Sequence, residues 1–138
     1  MEKRDKIFWH KAFYEAMKLE LHEYLQYLTF EEEYPLSKEA LAMDMLVVKK
    51  DKAVKISKNI GQLFKGHNII EFKSESDSFS RWDYSKALGY VHLYSCFNQV
   101  PLSDMTLTIS LTLYPRDMVK YVKNDCGLMV RYTGKGIH

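Results

Sequence analysis

The stretch Asn68-Ile69-Ile70-Glu71-Phe72-Lys73-Ser74-Glu75 (residues 68–75) decides how the chain is read. It has the apolar density of a buried strand, yet it carries an acid and a base two positions apart. In an extended chain, side chains at i and i+2 project to the same side. Glu71 and Lys73 therefore share one face, while Ile70 and Phe72 share the other. An ordinary ion pair on a partly exposed strand would account for the charges and would contribute only about 0–1 kcal/mol. A chemical site would account for them too, so the surrounding elements must decide.

Upstream, residues 5–28 read as a long amphipathic helix. A turn of 100° per residue gathers Trp9, Phe13, Ala16, Met17, Leu21, Tyr24 and Leu28 on one stripe. Glu20 falls near the middle of that stripe, where an acid needs a compensating partner. Residues 28–36 suggest a short strand ending near Pro35, and residues 42–50 a second strand leading into a turn. Asp51 to Asn68 is basic and polar, as in a loop. Downstream, Ser80-x-x-Asp83 has the form of a capping box and opens a second helix. Gly89 within it reads as a point of close helix packing. Residues 105–114 alternate apolar side chains with Thr or Ser, the pattern of a half-buried strand. A short helix at about 116–124 and a last strand, Gly127 to Tyr132, complete the order.

A chain of 138 residues fits a single domain, here taken as residues 1–138. Its 46% hydrophobic content supports a packed core rather than a disordered tail. The net charge of +2 is too mild to argue for nucleic-acid binding by itself. Cys96 and Cys126 have neither metal-ligand nor redox spacing, which suits a reducing, cytoplasmic setting. Charged residues recur through Glu23, so neither a signal peptide nor a membrane span is expected. The ending Gly134-Lys135-Gly136 reads as a turn into a further strand, and a longer natural chain is an expectation.

Asp44 lies in the strand preceding Glu71. If those two strands pair, Asp44 comes beside Glu71. Two carboxylates with a nearby lysine suit Mg²⁺, which takes one or two carboxylates and leaves positions for water and phosphate oxygens. Asp44 followed by Glu71-Phe72-Lys73, in the element order αβββαβ, resembles the signature of the PD-(D/E)XK nucleases. Residue 43 is Met, where the signature's name has proline. Residues 68–75 and 83–94 also resemble a bacterial branch near the recombination-promoting nuclease and transposase-like group.

The resemblance implies an α/β, restriction-endonuclease-like core with a central mixed sheet flanked by helices. It implies DNA as the partner, Mg²⁺ or Mn²⁺ as the cofactor, and hydrolysis of phosphodiester bonds. Asp44 and Glu71 would be metal ligands and Lys73 the catalytic lysine. Glu20 would be the acid that helix one lends to the metal, and a homodimer is within the family's habits. Lys86 and Tyr90, at i and i+4 on the second helix, are candidate substrate contacts; the alternative is a solvated lysine beside a core tyrosine. A catalytically silent nuclease-fold module, binding a protein or nucleic acid, is the competing reading, and a subunit of a larger assembly a third.

The lysines from Lys49 to Lys65 form the densest basic run and could track a nucleic-acid backbone, although a solvated loop explains them equally. Among five histidines none has metal spacing, and His67 alone is near the Glu71 strand. Nucleophile-elbow, Walker-type and dinucleotide-binding motifs are absent from the sequence.

Overall fold

A computed structural model describes residues 3–31, 35–37, 40–57, 59–74 and 78–131. The chain divides into two compact units, residues 1–41 and 42–138. In the first, helix α1 (Lys3–Glu20) gives way to a tighter 3₁₀ segment, His22–Tyr27. The helix expected over 5–28 is thus two pieces. The Tyr14 hydroxyl donates to the Phe30 carbonyl at 3.4 Å, and the two rings meet edge to face. Lys18 covers the Tyr14 ring at 4.7 Å. Phe13 on the apolar stripe is 68% exposed. The strand expected at 28–36 does not form at 28–31 or 35–37; residues 32–34 lie outside the described residues.

The second unit holds the sheet. Strands β1 (Met45–Val48), β2 (His67–Phe72) and β3 (Met105–Ser110) lie in the order β1-β2-β3. Helix α2 (Arg81–Asn98) links β2 to β3, and α3 (Arg116–Asn124) follows. β1 pairs antiparallel with β2, Met45 opposite Ile70 and Val48 opposite His67. β3 pairs parallel with β2, Ile69 beside Leu107 and Phe72 beside Ser110. A parallel pair needs a crossover connection, and α2 supplies it. The architecture is therefore α/β around a mixed sheet of three strands among the described residues. The last expected strand is also not formed: residues 127–131 make no strand pairing, and Tyr132 lies outside the described residues.

The residue types explain the elements. Ser80 caps α2 by accepting from the Asp83 N–H at 3.3 Å, while the Asp83 carboxylate accepts from the Ser80 N–H at 2.9 Å. Both orphan donors of the first turn are thereby satisfied. Gln99 ends the helix in a left-handed conformation at φ 52°, and Pro101 follows. The core is built on Ile69, Val100 and Met105, with Met43, Val91, Tyr94 and Leu107 packed around them. Beside it Asn68 is fully buried and makes four hydrogen bonds. Its amide donates to the Val47 and Lys65 carbonyls, and its oxygen accepts from the Lys65 N–H and the Thr106 hydroxyl. That is the full capacity of an asparagine side chain, and it ties all three strands to the turn ahead of β2.

A candidate acidic site at the end of the sheet

Asp44 stands one residue before β1, at the step where the β1–β2 ladder would next pair it with Glu71. Side chains take over the ladder there. The Asp44 N–H donates to Glu71 Oε1 at 3.2 Å, and the Phe72 N–H donates to Asp44 Oδ2 at 2.8 Å. Each carboxylate is thus oriented by a main-chain donor next to the other, and the structure brings these two predicted residues together.

Burial raises the Glu71 carboxyl pKa above its usual range. The Asp44 N–H opposes the shift, the adjoining Asp44 charge adds to it, and Lys86 pulls it down. Two carboxylates sharing one site disfavour double ionisation. Lys86, exposed on α2, is therefore the lysine whose charge Glu71 feels.

Lys73 is engaged elsewhere. Its ammonium lies 3.5 Å from Asp83 Oδ1, in the capping box of α2. The Ser80 N–H bond, ahead of the lysine, lowers the Asp83 pKa. The sequence marked Asp83 as a cap but not as the partner of Lys73. The signal was available, because a crossover helix starting soon after β2 sets its first turn over the strand's last residues.

The other candidates have the following surroundings. Tyr90 is a buried core side chain at 8% exposure, the alternative the sequence left open beside an exposed Lys86. Glu20 is exposed at the end of α1, so the burial cost that singled it out does not arise; it belongs to the first unit. His67 opens β2, four residues from Glu71, and shares a 2.8 Å hydrogen bond with the Tyr94 hydroxyl. Of the basic run, Lys49 donates to the Val54 carbonyl and Lys52 pairs with Asp104 at 2.6 Å. Those two ammonium groups hold the loop together.

Among the described residues no group of three or more His, Cys, Asp or Glu side chains assembles into a metal cage. The Asp44–Glu71 pair fits a different demand. It offers hard oxygen donors, pre-oriented by the chain and crowded enough that Glu71 gains from a neighbouring positive charge. Mg²⁺ uses one or two carboxylates in such sites and fills its other positions with water or phosphate.

Fold and site together define an α/β protein whose mixed sheet carries two interlocked carboxylates at the β1–β2 end. No family model matches the chain, and no curated protein or solved structure does either.

Proposed function

We propose that the chain is a nuclease with a restriction-endonuclease-like core, hydrolysing DNA phosphodiester bonds with Mg²⁺ or Mn²⁺ held by Asp44 and Glu71. The observation that carries this reading is the reciprocal lock of the two carboxylates, with Lys86 and Lys73 near the same end of β2. Asp44 and Glu71 would hold the cation, which would supply Lewis acidity toward the scissile phosphate and a bound water. The residues do the rest. The Asp44 and Phe72 N–H groups fix the carboxylates, so little reorganisation is needed on binding. Lys73, held against α2 by Asp83, supplies positive charge to the phosphate oxygens as they gain charge. Lys86 balances Glu71 from the helix side. Cys96 and Cys126 are free thiols, in keeping with a cytoplasmic setting.

The test is cleavage of supercoiled, linear and single-stranded DNA with Mg²⁺ or Mn²⁺. Cleavage should disappear with a chelator, with Asp44→Ala and with Lys73→Ala, each variant keeping its fold by circular dichroism. Cleavage that survives both substitutions would sink the mechanism. The Lys73–Asp83 ion pair favours a second reading, a silent module in which Lys73 is only a brace for α2. That reading predicts no change in melting temperature when either cation is added.

A further inference from the structure

An open cleft of about 480 Å³ lies between the first turn of α2 and helix α3. Its walls include Phe79, Trp82 and Tyr121, with Arg81 and Lys120 set among them. Trp82 is 70% exposed, so it serves no core. The Arg81 guanidinium lies 4.8 Å from the Trp82 ring centre and 5.9 Å from that of Tyr121. This contact holds the two rings and the cation as one unit. Asp117 and Asp125 line it too, so it carries two acids and two cations. Such a cleft is not built for a bare anion. It suits a flat, neutral heterocycle with hydrogen-bond donors and acceptors on its edge.

A chain of hydrogen bonds links the cleft to the strand that carries Glu71. Ser80 lines it, and the Ser80 hydroxyl donates to Asp83 Oδ2 at 2.9 Å. The other Asp83 oxygen meets Lys73, two residues beyond Glu71. A base seated on Trp82 would run its backbone past Lys73 toward Asp44 and Glu71.

We propose that this cleft stacks an unpaired nucleobase on Trp82, which makes single-stranded nucleic acid the substrate class of the neighbouring site. The inference rests on the nuclease reading for what happens to the strand, but not for the contact itself. A base inside a duplex has both faces covered and cannot stack there; an unpaired one can, with little sequence preference.

The experiment is a fluorescence titration with short oligothymidylate in a chelating buffer. A Trp9→Phe background leaves Trp82 as the one remaining tryptophan of two. Single strands should quench Trp82, and a blunt duplex should compete poorly. Trp82→Ala, followed by anisotropy of a labelled strand, should weaken binding by about 5- to 150-fold, the loss of one base stack. Trp82→Phe should restore most of it. No quenching, equal competition by duplex, or full affinity in Trp82→Ala would overturn the inference. Strands that bind through Trp82 but are never cut would support it while removing the nuclease reading. Metal-dependent cutting of single strands that Trp82→Ala leaves intact would do the reverse.

Discussion

Glu71 follows two buried isoleucines on β2 and shares its end of the sheet with a second carboxylate. Its raised pKa means that folding favours the protonated form. The sign of the pH dependence follows. That contribution to stability is complete below the ordinary glutamate range and is lost as pH rises through the raised folded-state value. Glu71→Gln keeps an oxygen for the Asp44 N–H and removes the charge. Without divalent cations at neutral pH, the variant should therefore melt a few degrees above the wild type, with a flatter pH profile above the ordinary glutamate range; an unchanged profile by thermal denaturation would contradict this. Asn68 poses the opposite case, a buried polar group with every bond made. Asn68→Ala strands the Lys65 N–H and the Val47 and Lys65 carbonyls among others. Each buried group left unpaired costs about 1–3 kcal/mol. The urea midpoint should fall by at least about 2 kcal/mol of stability at an unchanged slope.

At the scale of elements, α2 and α3 were legible because their signals are local. Ser80 and Asp83 announce the start of α2 in the residues themselves, and α3 starts directly after Pro115. β2 was legible from its composition, and its partner β1 from the apolar run that contains it. The strands expected at 28–36 and 127–132 had comparable composition but lacked partners among the described residues. A strand exists only where another chain segment completes its hydrogen bonds, and that is not written in the segment. Gly89 shows the same limit for packing. It reads as a site of close helix approach, yet a Cβ there would meet no atom within 4 Å. Gly89→Ala should therefore raise stability by about 0.5–1 kcal/mol through the entropy of the unfolded chain, measured by chemical denaturation. Destabilisation would mean that something does pack on this helix face.

Across the whole molecule, the juxtaposition of Asp44 and Glu71 could be anticipated from the pairing of two adjacent strands, and the structure brings them together. The partner of Lys73 was missed although its signal was present: a crossover helix that starts soon after β2 sets its first turn, with Asp83, over the strand's last residues. Lys86 exposed and Tyr90 buried correspond to the alternative the sequence left open, a solvated lysine beside a core tyrosine. No helix among the described residues is long and apolar enough to cross a membrane. What the mild net charge of +2 leaves to explain is how such a chain would hold a polyanion. We propose that local contacts would do that work: a cation between two carboxylates, two nearby lysines and an exposed tryptophan. The cation is the decisive contact among these. Calorimetric titration of Mn²⁺ into the wild type and into Asp44→Asn tests it most directly. Saturable binding at one site per chain is expected in the wild type and its loss in Asp44→Asn. No binding to the wild type, or equal binding to both, would contradict it.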